Sequence, residues 1–482
     1  MDKAILNKTT NLETILFYGF GLLVIACTLL SYIFQTKIFL AFPALFPLVY
    51  FAITDFRKIY FALLFLLPLS LEYQVTESLG TDLPTEPLML GLMFVLLFYF
   101  IKNIQRIDFS FFKNSIMILL IVHFFWIGIT SFTSLTPLLS FKFILAKTWY
   151  IFAFLLATAV FIKSKNDIKK FFWIIYIPLT FTVIWALFWH GLTNFHFDTI
   201  NNSLTPFYRN HVVYANLLTV FLPFVFLARN WYLPASTKRR LLNISVIIYL
   251  AAIYFAYTRA SYLALFAMFL VYFIVNFKMI KLTIFASILA IIGVFSFITH
   301  NNYYLKYSPT VKTVSHHDLS GIIDATLKGT DVSSMERIYR WIAAIHMAND
   351  RPITGFGPNG FVPNYENYTV FIFETWISEN PERSGVHNYF LMTLVEQGVI
   401  GLIIFFSLIA VFFIFSENLF HKIKDKELQK TIKAIILSMT AIVVSCLFSD
   451  LLEVDKIGSF FFIMLAFIVI ISRNFKPFIK EK

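Results

Sequence analysis

Cysteine is nearly absent: Cys27 and Cys446 are the only two in 482 residues, and both sit inside apolar runs. That excludes a disulfide framework and any cysteine-based metal site, leaving both as small core residues. Charge is scarce too. Asp, Glu, Lys and Arg make up 14% of the chain and hydrophobic residues 59%, where soluble domains carry about 25% and about 45–50%. With a mean hydropathy of +0.76, a water-soluble fold is excluded and the chain reads as an integral membrane protein. Also missing are a soluble domain between the apolar runs, a clear internal repeat, and a small-residue cleavage site behind the first apolar segment, TILFYGFGLLVIACTLLSYIF. That segment therefore reads as a retained helix and not a signal peptide. Aromatics, mostly Phe, reach 19% and suit lipid-facing and interhelical packing.

What is present is a series of fourteen apolar segments, near residues 14–33, 38–54, 59–71, 87–101, 115–133, 143–162, 171–192, 212–228, 241–257, 261–277, 282–299, 387–415, 433–450 and 458–472. The expected fold class is all-α, a polytopic membrane helical bundle of about 12–14 transmembrane helices with one large helical external loop. Segments 59–71 and 87–101 are short for a hydrocarbon core about 30 Å thick, which suggests re-entrant or tilted pieces.

Charge sets the orientation. Most of the 39 lysines and arginines fall in every second loop, among them KNIQRIDFSFFK, KSKNDIKK, RNWYLPASTKRR and HKIKDKELQKTIK. The positive-inside rule puts these loops and both termini in the cytoplasm. The net charge of +12 is then mainly a topology signal, not a sign of nucleic-acid binding. The same parity places PFYRNHVVYAN (206–216), YTRASY (257–262), the 300–386 loop and His387 together on the opposite face.

Residues 300–386 form the one long hydrophilic excursion, longer than a connector needs. Within it, SSMERIYRWIAAIHMAND spaces Met335, Ile338, Trp341, Ile342 and Ile345 helically behind a Ser334 N-cap. This predicts an amphipathic helix on or near the membrane surface. Arg337 and Arg340 share one helix face, as solvated charges or as an anion clamp. RPITGFGPNGF matches GxGxxG by letter, but lacks the strand–turn–helix context of a dinucleotide site. Its glycines instead predict a turn ending the helix. The aromatic stretch NYENYTVFIFETWISENPERSGVHNYF suits either sugar stacking or an interfacial belt.

Arg209 and Arg259 each stand at the outer end of an apolar helix, where an arginine can snorkel or grip phosphate oxygens bidentately. His387 is expected in the first turn of its helix, capped by Ser384. There the helix dipole favours the neutral imidazole that a general base needs; a plain interfacial hydrogen bond is the alternative. Glu396 lies nine residues on, about 180° around the helix, so an interhelical hydrogen bond is expected for it. Glu72, Glu77, Asp82 and Glu86 in EYQVTESLGTDLPTE read as solvated acids more readily than as metal ligands. No His/Cys cluster has ligand spacing and no Ser-His-Asp order stands out.

Taken together, FYRNHVVYANLLTVFLP, YTRASYLALF, RIYRWIAAIHMANDRPITGFGPNGF and HNYFLMTLVEQGVIGL resemble, in order, motifs of the O-antigen ligase and polymerase superfamily of bacterial membrane glycosyltransferases. The resemblance covers about residues 206–402. It implies N-terminal transmembrane helices over 1–205, a ligase-like transmembrane core over 206–299, a periplasmic loop over 300–386 and C-terminal transmembrane helices over 387–482. Two departures stand out: Asn210 and His211 follow Arg209 where the family often has glycine, and the family usually has twelve helices.

The resemblance further implies a bacterial inner-membrane enzyme that needs neither metal nor cofactor. It would move a glycan from undecaprenyl diphosphate to an acceptor hydroxyl at the periplasmic face, with inversion. Arg209 and Arg259 would bind the diphosphate, His387 would be the base, and Arg337, Arg340 and Asn388 would support them. An O-antigen ligase with lipid A-core as acceptor is the first expectation. A polysaccharide polymerase, a protein O-oligosaccharyltransferase and, from another class, a transporter or flippase are the alternatives.

Overall fold

A computed structural model describes residues 3–35, 39, 41–76, 79–106, 108–299, 332–369 and 384–475. The fold is helical, as a lipid environment demands of backbone that cannot bond to water. The helices are α1 (Lys3–Ile33), α2 (Ala41–Thr54), α3 (Arg57–Leu66), α4 (Thr85–Lys102), α5 (Ser115–Phe132), α6 (Pro137–Phe161), α7 (Lys165–Leu192), α8 (His211–Ala228), α9 (Thr237–Phe255), α10 (Arg259–Asn276), α11 (Ile280–Thr299), α12 (Val332–Asp350), α13 (Tyr389–Lys422), α14 (Lys426–Cys446) and α15 (Asp455–Asn474). Among the described residues, nine helices are long and apolar enough to cross a membrane.

All fourteen apolar segments contain helix, with differences. Segment 59–71 overlaps α3, a helix of only ten residues that begins at Arg57 and is about 15 Å long. It turns at Pro68 into a two-stranded antiparallel hairpin, β1 (Leu71–Thr76) and β2 (Leu79–Leu83), with Glu72 opposite Asp82. The all-α expectation holds for the chain, with this hairpin as its one sheet among the described residues; it stands where an acidic loop is expected. Segment 87–101 becomes the 18 residues of α4, a full-length helix.

The core is built on α15 and α8, whose apolar windows are 94% and 83% buried. Helix α14 runs antiparallel to α8 and α10. At one end Lys430 bonds to Asn230 (3.3 Å) and Lys433 to Asn276 (2.6 Å). At the other, Ser445 Oγ donates to Asn216 Oδ1 at 2.5 Å. The starts of α8 and α10 therefore share an end of the bundle with the close of α14.

Helix α12 forms where the apolar spacing predicts, but starts at Val332, so Ser334 lies within its first turn and is not its N-cap. Tyr339, Ile342, Ala343 and Met347 are buried, and the helix packs against α13 and the 365–368 turn. Protein, more than the membrane surface, takes up its apolar face.

Candidate active site

Asn388 begins α13: its Oδ1 accepts the backbone N–H groups of Phe390 and Leu391, both at 3.1 Å. His387 therefore precedes the helix and does not lie in its first turn, and Asn388 takes the capping role expected of Ser384. The chain here is pinned from two sides. Arg340 Nη1 donates to the Gly385 carbonyl at 3.0 Å, and the His387 N–H donates to Asp450 Oδ2 at 2.9 Å. These grips hold His387 at a φ of 56°, a left-handed conformation uncommon for residues other than glycine. Gly385 makes room for that carboxylate: a Cβ there would stand 2.3 Å from Asp450 Oδ2, which would have to shift.

Burial, then the nearby Arg340 and Arg337 charges, pushes the His387 pKa down to about 4. The imidazole is neutral at neutral pH, as expected, but desolvation and two cations are the causes. Burial also raises Asp450 to about 6, opposed by the His387 N–H and reinforced by Glu453. Arg340 is only 4% exposed and lies 5.9 Å from the Tyr365 ring centroid. The solvated reading fails for this arginine. Tyr365, from the aromatic stretch, is itself core; residues 370–383 of that stretch lie outside the described residues.

The glycine-rich segment turns the chain after α12, and it also docks into a break in α13. The break is at Gly398, with φ 69° and ψ −176°. Interrupting a helix leaves backbone groups without partners, and the loop supplies them. Phe356 N donates to Val395 O (2.9 Å), Gly357 N to Glu396 O (2.9 Å), and Val399 N to Pro352 O (2.8 Å). A Cβ on Gly355 would lie 2.4 Å from Val395 O, and one on Gly398 2.0 Å from Ile353 O. Close backbone approach is what these glycines permit.

Glu396 does not make the expected interhelical bond; its carboxylate accepts from Phe361 N of the loop at 3.4 Å. The interhelical contact belongs to its neighbour Gln397. Its side-chain Oε1 meets His123 Nε2 at 2.9 Å, and its backbone carbonyl accepts from Trp126 Nε1 at 2.9 Å.

A cavity of about 1030 Å³ opens between the start of α6, the 359–366 segment, the entrance of α13 and the turn after α14. Gly385 and Asp450, which frame the His387 loop, are in its wall, with Glu366, Glu396, Glu453 and Lys142. Glu453 is paired at 2.8 Å with the buried Lys147. Among the described residues, no group of three or more His, Cys, Asp or Glu could hold a metal ion.

The structure thus gathers His387, Asn388, Arg337 and Arg340. Arg209 and Arg259 stand on neighbouring segments at the same end of the bundle, before α8 and at the start of α10. Arg209 is exposed just before α8, with Nη1 3.7 Å from Glu72 Oε1. Arg259 opens α10, and Thr258 beside it donates to the His211 carbonyl at 3.3 Å. Between them, Ser445 of α14 bonds to Asn216 of α8 and accepts from Ser449, the residue before Asp450.

Sequence reasoning missed Asp450, Glu453 and Lys147. For Asp450 and Glu453 the signal was SDLLEVDK, three acids and a lysine in a short turn between apolar runs; Lys147 sits alone in an apolar run and had none. Residues 244–406 match the family model described as O-antigen ligase, which supports the O-antigen ligase superfamily. The match takes in Arg259, α12, the glycine segment and the His387 entrance; Arg209 precedes it. No curated protein matches the chain.

Proposed function

We propose that this chain, with its O-antigen ligase region at 244–406, moves a glycan from undecaprenyl diphosphate to an acceptor hydroxyl at the periplasmic face of the bacterial inner membrane. The observation that carries the reading is His387: a neutral imidazole in a left-handed turn pinned through Gly385 and Asp450, both of which line a cavity large enough for sugar units.

Arg209 and Arg259 bind the donor diphosphate and offset the charge that develops on it as it leaves. The acceptor sugar occupies the cavity, where carboxylates can take hydrogen bonds from its hydroxyl groups. His387 removes the proton from the attacking hydroxyl. The acceptor oxygen forms a bond to the anomeric carbon from the face opposite the diphosphate, the old C–O bond breaks, and its electron pair leaves with the diphosphate. The product is inverted. An imidazolium beside Arg337 and Arg340 is unfavourable until an anion arrives, so a donor phosphate near that pair would raise the basicity of His387. Base strength and donor binding are thereby linked.

Lipid A-core is the favoured acceptor, which makes the enzyme a ligase; a polymerase or protein O-oligosaccharyltransferase would use the same groups. A deletion strain separates the first two: polymer stranded on the carrier lipid means ligase, and single repeats on core mean polymerase. The broken α13 is a feature of transporters as well, but its gap is occupied by Pro352–Gly357 backbone. For the chemistry, His387→Ala in the purified, lipid-reconstituted protein should leave the fold intact and abolish transfer from lipid-linked donor. Near-normal transfer would sink the base assignment.

A further inference from the structure

Lys456, in the first turn of α15, is only 4% exposed and lies outside the His387 pocket. Its Nζ donates to the Ser70 carbonyl at 2.9 Å and to the Phe207 carbonyl, with the Pro68 carbonyl at 3.5 Å. The Tyr208 ring centroid is 4.6 Å away. An ammonium has three donors and no acceptor, and burying it is costly unless they are satisfied. Here backbone carbonyls from two separate segments satisfy them.

The Ser70 and Phe207 carbonyls each stand just ahead of a charged side chain. Two residues beyond Ser70 is Glu72, on β1, and two beyond Phe207 is Arg209. Glu72 and Arg209 are the pair 3.7 Å apart. Arg209 is itself exposed, so its own side-chain packing does little to set its place.

We propose that Lys456 is a positioning residue for the lipid-linked donor: by gripping the Ser70 and Phe207 carbonyls it joins the hairpin to the segment before α8 and sets where Arg209 stands. Glu72 then serves as the resting counter-charge of Arg209, which the donor diphosphate displaces. This rests on the reading of Arg209 as a diphosphate ligand.

The test uses the full chain in lipid nanodiscs with an undecaprenyl diphosphate-linked glycan, comparing wild type, Lys456→Met, Arg209→Ala and the double variant. Lys456→Met should raise donor KM roughly tenfold or more, since misplacements near 1 Å carry losses of that order or greater, with a smaller change in acceptor KM. The double variant should be no worse than Arg209→Ala, because Lys456 acts through Arg209. If Lys456→Met does not fold, Glu72→Gln replaces it: removing the counter-charge should lower donor KM and leave acceptor KM alone. An unchanged donor KM in Lys456→Met, or in Glu72→Gln where that stands in, overturns the inference when Arg209→Ala is impaired. Multiplicative losses in the double variant overturn it as well. A wild-type donor KM in Arg209→Ala overturns the donor-site reading, and this inference with it.

Discussion

Gly385→Ala tests the site where the structure is most demanding. The added Cβ would stand 2.3 Å from Asp450 Oδ2, and the next nearest heavy atoms are Cγ and Cβ of the same aspartate. Asp450 must retreat by about 1 Å to restore van der Waals contact. That movement stretches its 2.9 Å bond from the His387 N–H toward or past the limit of a hydrogen bond. A hydrogen bond to a charged acceptor contributes about 1.5–3 kcal/mol, and the left-handed turn it supports stores about 1–3 kcal/mol. The turn should relax and carry the imidazole away from the acceptor hydroxyl. At 1.36 kcal/mol per tenfold, the loss in kcat should be about 10- to 100-fold. Donor KM should change little, because Arg209 and Arg259 stand on other segments, before α8 and at the start of α10. The fold should survive, because Arg340 still holds the Gly385 carbonyl. Initial transfer rates in nanodiscs, with a thermal scan of the same sample, measure both quantities. Since the clash is with Asp450 alone, the substitution should add little in an Asp450→Ala background. Wild-type kcat in a folded Gly385→Ala protein, or an equal loss in both backgrounds, would refute the idea that Asp450 sets the imidazole.

Two further outcomes are expected. The pH profile of kcat/KM should lose activity as pH falls through about 4, where His387 takes a proton. Arg337→Gln removes one of the cations holding that pKa down, so its acid limb should move to higher pH; an unmoved limb counts against His387 as the base. Gly398→Ala places a Cβ 2.0 Å from Ile353 O at a residue with φ 69°. It should cost about 3–6 kcal/mol through backbone strain and lost loop–helix bonds. Denaturant unfolding in micelles measures this, and a loss below about 1 kcal/mol would contradict the docked-loop account.

Legibility differs from residue to residue. The helical spacing of Ile338, Trp341, Ile342 and Ile345 discloses α12, because one element must present one face. The three-residue spacing of Arg337 and Arg340 puts them on a shared face, yet the near-complete burial of Arg340 depends on Gly385 and Tyr365, which lie beyond any local pattern. The missing strand ahead of GxGxxG marks that segment as a turn. That the turn fills a break at Gly398 has no local signature. Glu396 points where a neighbouring helix is expected and meets a loop instead, since angular position says which way a side chain points and not what waits there.

Residence in the bilayer, the helical segments and their order, and the gathering of Arg209, Arg259 and His387 at one end of the bundle are all contained in the amino-acid order. Long apolar runs have one solution in lipid, and alternation of ends follows from counting them. Tertiary packing supplies the rest: Asp450 gripping His387, a glycine loop completing α13, Lys456 bonding to carbonyls ahead of the hairpin and of Arg209, and a cavity walled by Gly385 and Asp450. These are contacts between residues far apart in the chain. They depend on which helices become neighbours, and no local periodicity encodes that choice.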